Sequence, residues 1–376
     1  MSTYDAAVVG GGPAGAAAAL ALARRGAKVA LLEREPLPRY KTCGGGVVLR
    51  AQRLIGLDLG SVAEKACRTV AIYAHDVDGR FPLTRDEPLI TMTMRDRLDY
   101  LLVQTAVQAG AELLAPCRVT EVATSGGRVR LGTEHGPVWA DFVVAADGAL
   151  GNVARLAGWP DDRRSIPALE YEITVDDATF ERLSGEPRFD VGTVPHGYAW
   201  VFPKAAHLSV GVLSTQRGTR DLHEQLERYL RLVGIVAPLE VKRHGFVIPV
   251  RPRAGALVRE RVVLVGDAAG FADPLTAEGI SYALRSGQLA GEAILQSGGD
   301  EVRVREHYHA ELAKGILPDL RASRKIAALL YDYPRVRGWL FRRYGQAGVE
   351  ALAGPLLGDY DYRRVVRRLV RRPLRV

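Results

Sequence analysis

The chain has 376 residues, of which 47% are hydrophobic and 25% charged, so its composition is that of a globular protein with a large core. Its three cysteines, Cys43, Cys67 and Cys117, are too few and too scattered for a disulfide framework or a zinc site. We therefore expect no metal and a reducing, cytoplasmic setting. The net charge of +8 is concentrated at the C-terminus, where residues 361–376 hold seven Arg and one Asp. Nucleic-acid binders spread positive charge over a face, so no nucleic-acid partner is expected.

The N-terminal residues predict a β-strand, an α-helix and a second strand. Residues 4–9 are an apolar strand, residues 13–25 a helix that Gly26 ends, and residues 28–32 a second strand. Between the first strand and the helix lies a G-x-G-x-x-G sequence, Gly10-Gly11-Gly12-Pro13-Ala14-Gly15. This order predicts the first half of a dinucleotide-binding domain.

Each glycine of this sequence has a predicted physical role. Gly10 permits the tight turn, Gly12 lets a pyrophosphate approach the backbone, and Gly15 lets the helix pack on the strand. The helix N-terminus then presents a partial positive charge to the phosphates. Glu33 ends the second strand, where an acid bonds ribose hydroxyls. We expect dinucleotide binding rather than a glycine turn without a ligand.

The rest of the chain predicts a discontinuous α/β domain interrupted by an antiparallel sheet. A helix near 96–108 and strands near 118–123 and 138–145 extend a parallel, doubly wound sheet, and a strand at 262–266 and a helix at 280–295 return to it. Residues 168–250 alternate as antiparallel strands do. The predicted domains are a dinucleotide-binding domain (1–75, 95–165, 255–300), an inserted sheet domain that binds substrate (76–94, 166–254) and a helical C-terminal region (301–376).

Two later segments favour FAD over NAD. A buried strand ends in Asp147-Gly148, and another ends in Gly266-Asp267. Gly266 permits close backbone approach, and Asp267 can accept a hydrogen bond from a sugar-like hydroxyl. Downstream, Pro274 and residues 278–280 open a helix whose N-terminal N–H groups could meet the electron-rich edge of a flavin ring.

These segments together resemble a known family. The order GGGPAG, Glu33, ADG at 146–148, GDAAG and PLTAEGI at 266–280 resembles the FAD oxidoreductases of the para-hydroxybenzoate hydroxylase fold. Within them, YKTCGGG at 40–46 resembles the CGG segment of geranylgeranyl reductases, and PHGYAWVFPK at 195–204, followed by Gly211, resembles their YxWxFP motif. The chain departs from the pattern at Asn152 and Arg155, where a Ser before an Arg is usual, and at Ala277, where Gly is usual.

The resemblance implies an FAD site and assigns residues to it. The residues implied to bind the cofactor are Gly10, Gly12, Pro13, Ala14, Gly15, Glu33, Arg34, Cys43, Gly44, Gly45, Arg95, Val119, Asp147, Gly148, Gly266, Asp267, Pro274, Gly279 and Ile280. Among them, Arg34 is expected near the adenine, Arg95 at the FAD linkage, and Gly279 and Ile280 at the isoalloxazine. The loop at 43–45 is expected beside the flavin on the substrate side.

The resemblance also implies the reaction, which is saturation of the double bonds of a prenyl chain on a glycerolipid, a quinone tail or a diphosphate. The alternatives are a flavin monooxygenase or halogenase-like enzyme acting on an aromatic compound, and a lipid-binding flavoprotein without turnover. CGG and YxWxFP favour the reductase. Since no second G-x-G-x-x-G occurs, electrons are expected from transiently bound NAD(P)H, ferredoxin or another carrier protein.

Five side chains are candidates for the substrate cavity or for the chemistry beside it. Tyr198, Trp200 and Phe202 alternate along a predicted strand and share one face, where Tyr198 and Trp200 could stabilise positive charge developing on a carbon, or simply pack in the core. Cys43 could shape the site or supply a proton, or be a small buried hydrophobe. His196 is either a polar lining residue or a histidine of a surface turn.

The C-terminal tail predicts a basic amphipathic helix. In residues 363–372, Val365, Val366, Leu369 and Val370 fall within about 140° of arc at helical spacing, and arginines fill the rest. Such a helix could lie on an anionic membrane, placing the protein peripherally on the inner face of the cell membrane. The alternative is a terminal helix that docks its apolar stripe on the protein.

Overall fold

A computed structural model describes residues 3–160, 162, 164–216 and 221–371. The chain divides into two compact units, each made of three segments. The first unit comprises Met1–Tyr40, Asp96–Ser165 and Pro249–Leu320, and the second comprises Lys41–Arg95, Ile166–Ile248 and Arg321–Val376. Among the residues described, no helix is both long and apolar enough to cross a lipid bilayer.

The strands in chain order are β1 (Thr3–Val9), β2 (Val29–Leu32), β3 (Gly46–Val48), β4 (Ala63–Cys67), β5 (Thr69–Ala74), β6 (Gly79–Thr84), β7 (Ile90–Thr93), β8 (Glu112–Leu114), β9 (Val119–Ser125), β10 (Arg128–Thr133), β11 (Val138–Ala145), β12 (Ser165–Thr174), β13 (Arg188–Val191), β14 (Gly197–Pro203), β15 (Leu208–Ser214), β16 (Glu240–Pro249), β17 (Val258–Arg259) and β18 (Val262–Leu264). The helices are α1 (Pro13–Ala23), α2 (Leu49–Ile55), α3 (Arg95–Gln108), α4 (Val153–Leu156), α5 (Asp177–Ser184), α6 (Leu222–Leu232), α7 (Gly266–Ala269), α8 (Ile280–Gln296), α9 (Glu301–Lys314), α10 (Ile316–Asp332), α11 (Pro334–Leu357) and α12 (Tyr362–Arg371).

The first unit is built on a largely parallel sheet in the order β17-β18-β11-β1-β2-β8. Strands β18, β11, β1, β2 and β8 run parallel, while β9 and β10 extend β11 as an antiparallel meander. The central strands are buried along their length because the sheet is covered on both faces, which is why they are continuous apolar runs in the sequence. The predicted α/β fold class is confirmed.

Helices α1 and α8 of the first unit pack at unusually short range. A Cβ added at Gly287 of α8 would lie 2.1 Å from Ala14 O, and one at Gly291 would lie 3.0 Å from Ala21 Cβ. Only an alanine-rich helix facing a glycine-containing one can approach this closely. The contact begins at Ala14, in the first turn of α1, and so places that end of the helix beside α8.

The second unit is built on a seven-stranded sheet in the order β16-β12-β15-β14-β13-β5-β6, with a small sheet β3-β7-β4. One face of the large sheet packs into a hydrophobic core with α5 and α6, using alternate residues such as Ala199, Val201 and Val210. The other face carries Tyr198, Trp200 and Phe202, because successive side chains of a strand point to opposite faces. This alternation separates an ordinary core from a face of aromatic rings.

The unit bounds differ from the predicted domains at four places. Residues 41–75, predicted in the FAD-binding domain, lie in the second unit, because β3 and β4 pair with β7 and β5 pairs with β13. Arg95, also predicted in the FAD-binding domain, is the last residue of the same segment of the second unit. Residues 249–254, predicted in the sheet domain, lie in the first unit. The predicted C-terminal region is divided, since α9 lies in the first unit and α11 and α12 in the second.

Helix α12 carries the arginine-rich tail. Tyr362 and Val365 are buried, whereas Arg364, Arg367 and Arg368 are exposed. Of the predicted apolar stripe, Val365 is buried and Val366 is half-buried, whereas the side chains of Leu369 and Val370 lie outside the described part of the chain. The predicted tail residues 372–376 lie outside the described part of the chain.

Candidate active site

The glycine loop between β1 and α1 has two glycines that the fold requires and one that faces open space. A Cβ at Gly10 (φ +110°) would lie 2.4 Å from Ala146 O, and one at Gly15 would lie 1.9 Å from Gly10 O. At Gly12 the nearest atom is Arg39 Nη2, at 3.9 Å. The glycines therefore leave room beside Gly12, at the N-terminus of α1, and this fits a pyrophosphate bound to main-chain N–H groups.

Glu33 lies at the end of β2, with its carboxylate held next to the glycine loop. The side chain is 4% exposed, and Oε2 accepts hydrogen bonds from Gly11 N at 2.9 Å and from Arg39 Nε at 3.2 Å. Arg39 Nη1 also lies 3.0 Å from Asp99 Oδ2, so one guanidinium joins two buried carboxylates. Arg39 and Asp99 were not predicted as site residues. They orient Glu33 at the position expected for ribose binding.

The second phosphate-side segment, Gly266-Asp267, lies against both helices. Gly266 has φ +53°, and a Cβ there would lie 2.9 Å from Ala14 Cβ and 3.4 Å from Ala283 Cβ. Asp267 is half-buried, and its Oδ1 would be 3.5 Å from a Cβ at Gly279, the N-cap of α8. The first unit therefore brings the glycine loop together with a distant part of the chain that contains Gly266-Asp267 and the start of α8 at Ile280.

The other predicted cofactor residues occupy varied surroundings. Asp147 Oδ2 accepts a hydrogen bond from Val153 N at 2.8 Å, so this carboxylate holds the start of α4, while Gly148 (φ +81°) faces open space. Pro13, Ala14, Val119 and Pro274 are buried, Arg95 is half-buried at the start of α3, and Arg34 is exposed beside Glu35. Their contacts with a cofactor remain predictions.

Ala277 explains why glycine is usual at its position. It has φ +56°, in the left-handed region that disfavours a side chain. Ala277 N donates to Asp273 O at 2.8 Å, which closes the turn before α8. The turn before α8 therefore contains a side chain in a strained backbone conformation.

In the second unit the CGG segment packs directly on the aromatic strand. A Cβ at Gly44 would lie 2.8 Å from Phe202 Cδ2 and 3.5 Å from Trp200 Nε1. Cys43 Sγ accepts a hydrogen bond from Gly45 N at 3.4 Å, and Cys43 is half-buried. The structure thus brings together two predicted motifs that lie about 160 positions apart in the chain.

The aromatic face contains more rings than the sequence analysis selected. Ring centroids of Tyr198 and Trp200, and of Trp200 and Phe202, are 6.0 Å apart. Phe189 of β13 lies 5.0 Å from Phe202, and Tyr331 of α10 lies 6.3 Å from Tyr198. Cross-strand pairing at β13 could have indicated Phe189, but no local signal indicates Tyr331. Within the described residues, Trp200 Nε1 is buried without a hydrogen-bond partner.

His196 is in the turn just before the aromatic strand, and the other two cysteines are buried. His196 has φ +56°, its side chain is partly exposed, and its Nδ1 lies 2.8 Å from Asp332 Oδ1. Cys67 and Cys117 are buried, and burial raises the pKa of both thiols, that of Cys67 to about 11. Cys43 is therefore the more accessible thiol of the three.

A buried lysine lies beneath the CGG segment and was not predicted as a site residue. Lys204, at the end of the YxWxFP motif, is 1% exposed, and its Nζ donates to Gly44 O at 2.7 Å and to Thr93 O at 2.9 Å. Two carboxylates of β12, Glu170 and Glu172, are buried on the same face. The sequence shows a lysine after FP but gives no reason to bury it.

Comparison with known proteins agrees with the geometry of the first unit. Residues 3–296 match the family described as FAD binding domain. With the glycine loop, Glu33 and Gly266-Asp267 placed together, the fold and site define an FAD-dependent oxidoreductase.

Sequence relatives identify the family within this class of enzymes. The chain is 31% identical to chloroplastic geranylgeranyl diphosphate reductase of Nicotiana tabacum over 326 residues, covering 82% of this chain and 69% of that protein. It is also 31% identical to digeranylgeranylglycerophospholipid reductase 1 of Methanopyrus kandleri over 317 residues, covering 78% and 81%. The chain belongs to the geranylgeranyl reductase family of FAD-dependent oxidoreductases.

Solved structures show the shared fold. A geranylgeranyl bacteriochlorophyll reductase-like protein of Thermoplasma acidophilum superposes with a TM-score of 0.79 at 23% identity, covering 99% of each chain. The halogenase PltM superposes with a TM-score of 0.73 at 18% identity, covering 97% of this chain and 86% of that one. The fold is therefore common to reductases and halogenases and does not separate them.

Proposed function

We propose that this enzyme saturates carbon-carbon double bonds of a prenyl lipid. The observation that carries the proposal is the packing of Gly44 on Trp200 and Phe202, which joins the two segments typical of geranylgeranyl reductases into one apolar surface. The names of the relatives, one acting on a diphosphate and one on a glycerophospholipid, support the same substrate class. The substrates proposed are therefore a prenyl glycerolipid, a prenyl diphosphate or a quinone tail.

The chemistry divides between the cofactor and the chain. When bound and reduced, FAD supplies the hydride that an unactivated alkene needs. The residues of the chain have to bind a flexible apolar substrate, exclude water and provide a proton for the second carbon. The buried rings of Tyr198, Trp200 and Phe202 suit the first two tasks, and an aromatic face also stabilises positive charge developing on a tertiary carbon.

Cys43 is the residue we assign to the proton. Its half-buried thiol lies in the loop that packs on the aromatic strand, whereas Cys67 and Cys117 are buried. The alternative is that Cys43 only shapes the surface. Replacement by Ala distinguishes these roles, because a proton donor lost from the site slows turnover without releasing FAD.

The electron donor and the membrane surface are further parts of the proposal. Transient NAD(P)H or a carrier such as ferredoxin would supply electrons, since the sequence has no second G-x-G-x-x-G. The exposed arginines of α12 would hold the enzyme at an anionic membrane on the cytoplasmic side, where a prenyl lipid resides.

The decisive experiment is anaerobic. The flavin of the purified holoenzyme is reduced chemically, a geranylgeranyl lipid is added, and flavin reoxidation is followed together with the mass of the lipid. Reoxidation with a gain of two hydrogens per flavin supports the proposal. If the flavin stays reduced until oxygen is admitted and then an aromatic compound is oxidised, the enzyme is a monooxygenase or halogenase.

A pair of matched variants makes the test specific to the aromatic face. Trp200→Phe keeps an aromatic ring but removes the buried indole, and should slow anaerobic reoxidation by lipid while FAD stays bound. Trp339→Phe makes the same change at a side chain that is 39% exposed, and should leave the rate unchanged. Equal rates in the two variants would contradict a role of Trp200 in substrate binding.

A further inference from the structure

The segment around Gly45 is held by an unusual set of hydrogen bonds. Gly45 O accepts from Thr93 N at 2.8 Å and from Thr93 Oγ1 at 3.1 Å, while Lys204 Nζ donates to Gly44 O and to Thr93 O. Gly45 has φ +66°, and a Cβ there would lie 2.0 Å from Thr93 O and 2.7 Å from Lys204 Nζ. The loop is therefore attached at both of its glycines, and at both the ammonium group is in immediate contact.

Lys204 reaches this loop from the end of the aromatic strand. It is the first residue of the turn between β14 and β15, and its own N–H donates to His207 O at 2.8 Å. The turn fixes the backbone of Lys204, so the side chain links the strand that carries Trp200 and Phe202 to the loop that carries Cys43.

The negative charges that balance Lys204 are on β12. Glu170 and Glu172 are 3% and 7% exposed, and β12 pairs with β15 so that Glu172 lies opposite Ser209. Ser209 Oγ donates to Glu170 Oε1 at 2.6 Å, and His207 Nε2 lies 2.7 Å from Glu172 Oε2. Ser209 satisfies part of the Glu170 carboxylate, whereas both oxygens of Glu172 are buried without a hydrogen-bond partner among the described residues. The charge of Glu172 is therefore left to interact with the ammonium group and with His207.

Electrostatics couple these groups. Burial lowers the pKa of Lys204, and the negative charges of Glu172 and Glu170, with smaller effects of Cys43 and Glu64, oppose that shift. Burial, together with the charge of Glu172, raises the pKa of Glu170 to about 7, against the opposing effects of Ser209, Lys204 and Lys41. The groups around Lys204 and Glu170 are therefore both acidic and basic, and the protonation of Lys204 depends on the two carboxylates of β12.

Burying such charges is costly. Each buried ion loses its hydration, and an apolar residue of similar volume often gives equal or greater stability. Packing alone therefore gives no reason to have an ammonium group beneath the loop. The position of the ammonium group, in contact with Gly44 and Thr93, is explained if the loop Cys43–Gly45 has to be held in one place.

We propose that the buried ammonium group of Lys204 positions the loop Cys43–Gly45 against the aromatic strand β14. Glu170 and Glu172 supply the counter-charge that keeps this group protonated. Lys204 acts through the loop and is a positioning residue. Its effect on turnover rests on the prenyl-reductase function proposed above, whereas its effect on the loop does not.

The loop is tested through the reactivity of Cys43, which requires no substrate. In the holoenzyme, Lys204→Met keeps the length of the side chain but removes both hydrogen bonds. Each alkylation rate is divided by the thiolate fraction measured in the same protein, because loss of a nearby positive charge by itself disfavours the reactive thiolate. Since a hydrogen bond from a charged group is among the stronger ones, we expect iodoacetamide to alkylate the Cys43 thiolate at least about tenfold faster in Lys204→Met. Cys67 and Cys117, at 4% and 3% exposed, serve as internal controls that stay unmodified while the protein is folded. Unchanged alkylation of Cys43 in a folded variant overturns the proposal.

A second variant keeps the test valid if Lys204→Met does not fold. Glu170→Gln removes one counter-charge, so Lys204 loses its proton at lower pH, and the alkaline limb of turnover should move down by about one pH unit or more. The control, Asp76→Asn, weakens the ion pair of Asp76 with the buried Arg337 in the same unit and should leave the limb in place. An unmoved limb in Glu170→Gln overturns the proposal.

The two experiments separate the inference from the function. Faster alkylation of Cys43 in Lys204→Met, combined with no reduction of prenyl lipids by the wild-type enzyme, would refute the proposed substrate and leave the positioning role standing. Normal lipid reduction by the wild-type enzyme, combined with unchanged alkylation of Cys43 in Lys204→Met, would support the proposed substrate and refute the positioning role.

Discussion

Replacing Gly44 with Ala tests the contact on which the proposed substrate face depends. The added Cβ would lie 2.8 and 2.9 Å from two carbons of the Phe202 ring, whereas ordinary contacts begin at 3.4 Å, so loop or ring has to move by roughly 0.6 Å. Phe202 has little freedom, since Phe189 lies 5.0 Å and Trp200 lies 6.0 Å from it between ring centroids. Overpacking of this kind costs about 1–3 kcal/mol of folding free energy.

The expected result is a modest loss of stability and a larger loss of activity. The melting temperature of the holoenzyme should fall by roughly 2–10 °C. Turnover should fall by about tenfold or more, because small displacements of positioned groups are expensive in catalysis. Turnover is expressed per bound FAD, because Gly44 is itself among the residues that the resemblance implies to bind the cofactor.

Gly46→Ala is the matched control for Gly44→Ala. Its Cβ would lie 3.2 Å from Ile90 Cγ2 and 3.7 Å from Met92 Cε, so the required movement is smaller than at Gly44 and the methionine side chain is flexible. It adds the same methyl group two residues away, so its effect should be small. If Gly44→Ala and Gly46→Ala have the same turnover and melting temperature, the packing of the CGG segment on β14 is not what positions it.

Five further variants have defined outcomes. Gly12→Ala should leave the apoprotein as stable as wild type but weaken FAD binding in titrations, because its Cβ enters the open space assigned to the pyrophosphate. Equal FAD affinity of Gly12→Ala and wild type would refute that assignment. Gly15→Ala should prevent folding, because its Cβ would lie 1.9 Å from Gly10 O. Ala277→Gly should stabilise the protein by about 1 kcal/mol in thermal unfolding, because φ +56° disfavours a side chain, and a destabilised variant would contradict this. Glu170 has a pKa of about 7 in the folded protein, against an ordinary value of 4.5. Its contribution to stability is therefore present at acid pH and is lost as the pH rises through 7, by about 3 kcal/mol at most. Denaturant unfolding of Glu170→Gln should lack this loss, and a pH dependence identical to that of the wild type would disprove it. Changing the exposed Arg364, Arg367 and Arg368 to Gln should weaken binding to anionic vesicles about a hundredfold in flotation at low salt, at about 1 kcal/mol per Arg, while undiminished binding would rule out the tail as the membrane contact.

The fold class and the cofactor segment followed from local features of the sequence. Parallel strands covered on both faces must be apolar along their length, and for that reason residues 4–9, 138–145 and 262–264 could be recognised as strands. A glycine is required wherever a Cβ would meet a carbonyl oxygen, as at Gly10 and Gly15, and this requirement is visible as spacing. The aromatic alternation at 198–202 equally depends only on the two-residue period of a strand.

Tertiary structure alone decided which distant residues complete these segments. Arg39 orients Glu33 from six residues away but is itself held by Asp99, 60 residues further on, and Tyr331 reaches Tyr198 from a helix near the other end of the chain. Lys204 is buried because the loop at residue 44 and strand β12 supply its carbonyl partners and its counter-charge. The sequence shows that these side chains are present but does not show what surrounds them. The register between strands and the burial of charged groups arise only when separate segments pack together.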